Sequence, residues 1–196
     1  MEKSFDNDYK NNNAFFGVKS SKLVLNLLKY INKGKVLDLG MGYGKNAIFL
    51  AKNNFNVSGI DISKEGIDMC IKTCKNLNVD VDSKVEDINV FEFKTKYDVI
   101  TAMNVLQFLK IEEIKNIILK MKDNTNINGL NVISVFTKEN GFEELFGYLF
   151  NKNELKEFYK DWEILEYEEF ISDPEVHGNG KPHTHAIAQL IARKLN

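Results

Sequence analysis

The sequence has few cysteines, no marked excess of either charge and no long apolar run, and each of these features limits what the protein can be. Its two cysteines, Cys70 and Cys74, lie four residues apart in a helical pattern, so they do not form the disulfide framework of a small secreted protein. The 26 basic and 28 acidic residues give a net charge of -2, which argues against a dedicated nucleic-acid-binding protein. No segment approaches the roughly 18 apolar residues of a membrane span.

The N-terminus, MEKSFDNDYKNNN, is polar and lacks the apolar stretch of a signal peptide. We therefore expect a protein of the reducing cytoplasm that has neither nucleic acid nor a membrane as a partner. At 196 residues, the chain is long enough for one domain with a sizeable core. Residues 1–18 are predicted to be an N-terminal arm and a candidate lid, and residues 19–196 to be a single domain.

Short apolar strands alternate with amphipathic helices along that domain. Five strands are predicted at KVLDLG, FNVSGIDIS, VDVDSKVEDI, YDVIT and LNVISVFTKE. Such alternation indicates βαβ units and a parallel sheet. Two further strands, WEILEYEEF and HAIAQLIARK, are predicted to form an antiparallel edge. The sequence thus predicts an α/β, Rossmann-like domain, with a seven-stranded, mostly parallel sheet, an antiparallel C-terminal strand and helices on both faces.

A glycine loop follows the first predicted strand, in the segment VLDLGMGYGKN. This is where an open α/β sheet binds its ligands. A dinucleotide site requires GxGxxG, whereas Gly40, Gly42 and Gly44 are spaced as GxGxG, and Lys45 stands where the third glycine should be. Asp38, beside the loop, opposes a pyrophosphate but suits the cationic methionine end of S-adenosylmethionine (SAM). The loop therefore favours SAM, with NAD as the weaker alternative.

Two more carboxylates follow the next two predicted strands. Asp61 ends the second strand, where it could accept hydrogen bonds from both hydroxyls of a ribose. Asp87 follows the third strand and could accept from the exocyclic amine of an adenine, with Ile62 and Ile88 lining the two faces of the ring. Either acid alone could instead cap the next element. Carboxylates at successive strand ends, together with the glycine loop, favour a cofactor site.

These residues resemble motif I and the adjoining strand ends of the class I SAM-dependent methyltransferases, over roughly residues 20–195. The resemblance implies a methyltransferase that binds SAM and releases S-adenosylhomocysteine. It assigns the ribose to Asp61 and the adenine to Asp87, and it implies that backbone atoms of Asn104 and Val105 close over the cofactor. The expected cofactor residues are Asp38, Gly40, Gly42, Gly44, Asn46, Asp61, Ile62, Asp87, Ile88, Asn104 and Val105.

A narrower resemblance is to the tellurite-resistance methyltransferases, the TehB-like group. The arm NNNAFFGVKSSK and the ending GNGKPHTHAIAQLIARK are similar to that group. The resemblance implies that Tyr9, Phe15 and Phe16 form a lid, and that His183 and His185 face the acceptor as catalytic residues. It implies methyl transfer to oxidised tellurium or selenium species.

The sequence also departs from that group, which leaves alternatives for the acceptor. Met41 stands where the group has Cys or Ala, and Thr184 stands where an Arg is expected, so Lys181 or a nearby histidine would have to bind an oxyanion. The acceptor could instead be another small metabolite or a thiol. A SAM-binding regulatory domain without turnover is a further alternative. The protein is expected to be a monomer or a homodimer.

Three histidines and the two cysteines allow more than one interpretation. His177, His183 and His185 could form a metal site, line the acceptor pocket or serve the fold. We favour the acceptor pocket and predict no metal, with His183 and His185 pointing the same way from one strand. Cys70 and Cys74 lie on one helix face and are predicted to be core residues rather than redox groups.

Overall fold

The computed structural model describes Phe5, Asp6, Tyr9 and residues 20–140, 146–176 and 182–196. The predicted lid residues Phe15 and Phe16, together with His177 and Lys181, lie outside the described residues. Within the described ranges, no helix combines the length and the apolar character needed to cross a membrane.

The described residues include five α-helices and nine strands. Helices α1 to α5 are Lys22–Asn26, Lys45–Lys52, Lys64–Leu77, Ile111–Asp123 and Glu154–Phe158. Strands β1 to β9 are Gly34–Leu39, Phe55–Asp61, Val81–Val85, Tyr97–Met103, Thr125–Phe136, Glu163–Ile171, Glu175–Val176, Pro182–His183 and Ala186–Arg193. Short 3-10 turns are Leu27–Lys29, Leu106–Phe108 and Lys138–Asn140. The predicted alternation of strands and helices is confirmed.

Seven strands form one mixed sheet in the order β3-β2-β1-β4-β5-β9-β6, with helices around it. Strand β9 runs antiparallel to both β5 and β6, so the predicted seven-stranded α/β fold with an antiparallel C-terminal strand is confirmed. The structure adds that β9 lies between β5 and β6, which leaves β6 at the edge. Strand β9 is buried along most of its length, whereas β6 carries charged side chains that tolerate an edge. Strands β7 and β8 form a second, two-stranded sheet.

The chain divides into two compact units, residues 1–91 with 176–181 and residues 92–175 with 182–196. In the first unit, β1, β2 and β3 pair in parallel. Helix α3 follows β2, and the hydroxyl of Ser63 accepts a hydrogen bond from the Gly66 amide at 3.1 Å, which confirms the predicted N-cap. The helix buries Cys70 and Cys74 on one face, as predicted.

The second unit contains a buried polar network beneath helix α4. The hydroxyl of Tyr159, which is fully buried, donates to Asn131 Oδ1 at 2.8 Å. Asn131 Nδ2 donates to the Thr125 hydroxyl at 2.8 Å, and that hydroxyl donates to the Met121 carbonyl at 2.7 Å. Burial raises the pKa of Tyr159 well above its ordinary value, so the phenol stays a neutral donor. Each partner in this network is therefore satisfied without contact with water.

Replacing Tyr159 with phenylalanine should lower the free energy of unfolding by about 1–3 kcal/mol, because Asn131 Oδ1 would then be buried without a donor. Denaturant titration measures this loss. The control is Tyr148→Phe, which removes a hydroxyl that donates to the half-buried carboxylate of Glu154 at 2.8 Å. Water can replace that donor, so Tyr148→Phe should lower the free energy of unfolding by less than Tyr159→Phe does. Equal losses in the two variants would contradict the network's role.

Candidate cofactor site

The glycine loop between β1 and α2 has a backbone that favours glycine. Gly40, Gly42 and Gly44 have φ angles of 67°, 57° and 77°, in the left-handed region that a Cβ disfavours. The Met41 amide donates to the Ile60 carbonyl at 3.0 Å, and the Gly44 amide donates to the Met41 carbonyl at 2.9 Å. The loop is therefore a hydrogen-bonded turn attached to the end of β2. Its GxGxG spacing places a glycine at each of the three positions that have left-handed φ angles.

Asp61, at the end of β2, connects this loop to the start of helix α3. Its Oδ2 accepts from the Gly42 amide at 2.7 Å, and its Oδ1 accepts from the Ser63 amide at 2.8 Å. Burial raises the pKa of Asp61, and the nearby Asp6 adds to the rise, while the hydrogen bonds from Ser63 and Gly42 oppose it. A carboxylate has about four lone-pair positions, so each oxygen can accept a further donor. The two oxygens can thus receive the two hydroxyls of a diol.

Apolar and acidic side chains lie next to Asp61. Ile62 is 53% exposed although it is a large apolar residue. Strand β3 pairs with β2, and beyond its end Asp87 is half-buried and Ile88 is buried. The Asp87 Oδ1 accepts from the Asn89 amide at 2.8 Å, so this atom does cap a turn, as the alternative interpretation proposed.

Two other predicted cofactor residues have different surroundings. Asp38 lies within β1 and is 1% exposed. Asn46, in the first turn of α2, uses its Oδ1 to accept from the Ser21 amide at 2.9 Å. The Ser20 hydroxyl donates to the Lys45 carbonyl at 3.1 Å in the same region. The amide oxygen of Asn46 therefore holds the chain that enters α1, a contact that the sequence did not indicate.

Residues of the N-terminal arm lie directly on the glycine loop. A Cβ added at Gly42 would lie 2.6 Å from the Tyr9 hydroxyl, and one added at Gly66 would lie 3.2 Å from the Tyr9 ring. Asp6 accepts from the Ser63 hydroxyl at 2.6 Å. Tyr9, a predicted lid residue, is therefore packed against bare glycine backbone. Asp6 was not predicted, because no local pattern marks a partner 57 residues away.

In the second unit, Asn104 and Val105 follow β4 as expected. Asn104 has a φ of 55°, its amide donates to the Ser134 carbonyl at 2.8 Å, and its Oδ1 accepts from the Ser134 hydroxyl at 2.7 Å. Val105 leads into the 3-10 turn Leu106–Phe108. These contacts fix the backbone at the end of β4, where the family resemblance places atoms that close over the cofactor.

The two described histidines touch each other but do not share a strand. His183 belongs to β8, whereas β9 begins only after His185, so the prediction that both point the same way from one strand is wrong. Their ring centroids are 4.8 Å apart. His185 is buried and stacks on Phe136 at 4.5 Å. Its carbonyl accepts from the Ser172 amide at 2.8 Å, and its amide donates to the Ser172 hydroxyl at 2.9 Å. These contacts tie His185 to the fold, whereas His183 is only half-buried.

Comparisons with known proteins identify the family of this chain. The profile of the family described as tellurite resistance protein TehB matches residues 4–181. A protein of Haemophilus influenzae named probable S-adenosyl-L-methionine-dependent methyltransferase TehB is 34% identical over 174 residues, which cover 87% of this chain and 61% of that protein. The chain thus spans about three-fifths of the length of this relative.

Solved structures show the same fold. The crystal structure of TehB from Haemophilus influenzae superposes with a TM-score of 0.84 at 32% identity, over 98% of this chain and 67% of that one. The magnesium protoporphyrin IX methyltransferase of Synechocystis, solved with bound SAM, gives a TM-score of 0.65 at 18% identity, over 88% and 74% of the two chains, and at this identity it shows the fold alone. The chain therefore belongs to the TehB family of tellurite resistance proteins and has the class I SAM-dependent methyltransferase fold.

Proposed function

We propose that this chain binds SAM and catalyses transfer of its methyl group to a small-molecule acceptor, with release of S-adenosylhomocysteine. The observation that carries the proposal is the Asp61 carboxylate, held by two backbone amides at the end of β2 with acceptor capacity left for a ribose diol. Ile62 and Ile88 would contact the adenine faces, and Asp87 its amine. The name of the Haemophilus influenzae relative supports the same activity.

Other predicted residues complete this proposed site. The carboxylate of Asp38 would attract the cationic methionine end of SAM. The bare backbone of the glycine loop would let the cofactor approach closely. Asn104 and Val105 remain proposed contacts through their backbone atoms. Asn46 is proposed to support the loop rather than to bind the cofactor, because its amide oxygen already accepts from the Ser21 amide.

The proposed methyl transfer requires few catalytic side chains. When bound, SAM supplies a methyl group that its sulfonium has already activated. The residues of the chain then need only hold the acceptor in line and exclude water, and such orientation can be worth about 7–11 kcal/mol in favourable cases. A base is required only where the reacting atom of the acceptor carries a proton. His183 is the candidate for that proton or for an anionic acceptor, because it is only half-buried and an imidazole nitrogen can accept or donate a proton.

Removing the Asp61 carboxylate should weaken SAM binding severely. Two hydrogen bonds from a ribose to a charged acceptor, at about 1.5–3 kcal/mol each, correspond to a loss of at least about a hundredfold in Asp61→Ala. Titration calorimetry measures the affinity. The control, Asp82→Ala, removes an exposed acid of β3 that pairs with Lys84, and it should leave the affinity unchanged. Unchanged SAM affinity in a folded Asp61→Ala protein would refute the ribose assignment.

We propose further that the N-terminal arm is a lid, because Tyr9 is buried against Gly42 and Gly66. In Tyr9→Ala, SAM should dissociate several-fold faster, because the loop is no longer covered. Stopped-flow displacement measures that rate. Tyr9→Phe keeps the ring and should behave as the unmodified protein does. Tighter SAM binding by Tyr9→Ala would show instead that the arm blocks the site and must leave before the cofactor enters.

The acceptor is proposed to be an oxidised tellurium or selenium species, and a small metabolite or thiol is the alternative. A screen of selenite, tellurite, thiols and small amines, read by formation of S-adenosylhomocysteine, decides between them. His183→Ala should lower turnover of the preferred acceptor more than it lowers SAM affinity. Equal losses in both would assign His183 to the cofactor or the fold. SAM binding without turnover of any acceptor would favour a regulatory domain.

A further inference from the structure

The buried ring of His185 contacts two other aromatic rings in the second unit. It stacks on Phe136, with the ring centroids 4.5 Å apart and the ring planes 7° from parallel. It meets the ring of His183 almost at a right angle, with the centroids 4.8 Å apart and an angle of 87° between the planes. The proposed methyl transfer gives a chemical task to His183 and none to His185, so the role of this buried imidazole is open.

The backbone of His185 is held at the ends of two strands. Its carbonyl and its amide both bond to Ser172, the residue that follows β6. The next residue, Ala186, begins β9, and its carbonyl accepts from the amide of Thr137, which follows β5, at 2.9 Å. The backbone that carries the imidazole therefore cannot shift without breaking hydrogen bonds at this edge of the sheet.

The ring on which His185 stacks is also fixed. Phe136 is the last residue of β5, and it belongs to a buried apolar cluster with Leu149 and Ile187. The ring of Phe146 packs against this cluster and meets Phe136 edge to face, with the centroids 5.2 Å apart. Dense packing of this kind leaves a ring little freedom to change its orientation. The imidazole of His185 thus lies on a rigid surface.

His183 has less support from its own strand. It is half-buried, and it is the second residue of β8, which is only two residues long. The outer torsion of a histidine side chain has a broad, roughly twofold preference, so neighbouring groups must select the orientation of its ring. The fixed ring of His185 is such a neighbour, since perpendicular aromatic contacts are favourable. The orientation decides which nitrogen of His183 faces an acceptor, and in a neutral imidazole one nitrogen donates while the other accepts.

We propose that His185 is a positioning residue, which holds the imidazole of His183 in one orientation while Phe136 supports His185 from behind. This role requires the aromatic ring of His185 and not its nitrogens. It rests on the proposed function, because the orientation of His183 affects catalysis only if His183 meets the acceptor. A catalytic group displaced by about 1 Å can lower a rate on the order of a hundredfold, so a contact of this kind matters for turnover.

The orientation of His183 can be measured by NMR on the full, isotope-labelled chain, without SAM or an acceptor. Its ring signals should be displaced from those of a free histidine by the ring current of His185. The displacement should collapse in His185→Ala and largely remain in His185→Phe. Phe136→Leu should also change the His183 signals, because His185 then loses the ring on which it stacks. The matched control, Phe158→Leu, removes a half-buried ring that contacts Phe150 instead, and it should leave these signals unchanged.

Turnover of the same variants shows whether the orientation matters for catalysis. Formation of S-adenosylhomocysteine is followed with selenite and, separately, with mercaptoethanol, which represent the two proposed classes of acceptor. His185→Ala should lower kcat/KM for the methylated acceptor about tenfold or more, because His183 is no longer held in place, and it should leave the Kd of SAM unchanged. His185→Phe should recover most of this loss, since it restores the ring.

Two results would overturn the positioning role. Unchanged His183 signals in folded His185→Ala would show that His185 does not orient its neighbour, and His185→Leu, which fills the space without a ring, tests this again should the alanine variant fail to fold. A loss of turnover in His185→Phe as large as that in His185→Ala would assign the imidazole itself to the chemistry. Full turnover by His183→Ala would instead refute the proposed function of His183, which the NMR signals of the His185 variants do not depend on.

Discussion

The carboxylate of Asp61, shared between two backbone amides, is the interaction on which the proposed site depends. One amide belongs to the glycine loop at Gly42 and the other to Ser63 at the start of α3. The carboxylate lies near the helix N-terminus, where the backbone dipoles favour a negative charge. Burial nevertheless raises its pKa, so these donors only partly offset the loss of water. Each oxygen of this carboxyl group still has a lone pair for a further donor from a ligand.

The parts around Asp61 are arranged by the same contacts. The loop takes left-handed backbone angles at its glycines, and the bare backbone gives Tyr9 a surface on which to pack. Ser63 caps α3, and its hydroxyl also donates to Asp6 of the arm. The loop, the helix and the described arm residues are therefore coupled through a few hydrogen bonds. A change in the loop, the helix or the described arm residues should therefore alter the part of the proposed site that would bind the ribose.

Local patterns were enough to predict much of this arrangement. Alternating strands and helices indicated the sheet, the GxGxG spacing indicated the turn, and Ser63 was expected as an N-cap because capping depends on only the next three residues. Contacts between distant segments were not accessible in this way. The insertion of β9 beside β5, the tether between Asn46 and Ser21, and the contact between Asp6 and Ser63 depend on tertiary packing. His185 was assigned to a strand that in fact begins one residue later.

A crystal structure of the chain with S-adenosylhomocysteine would show whether Asp61 binds the ribose of the methyl donor. Both ribose hydroxyls should lie within about 3 Å of the Asp61 oxygens, with the amides of Gly42 and Ser63 still donating to the same carboxylate. A ribose held by other residues, with Asp61 bonded to the two amides alone, would contradict this assignment.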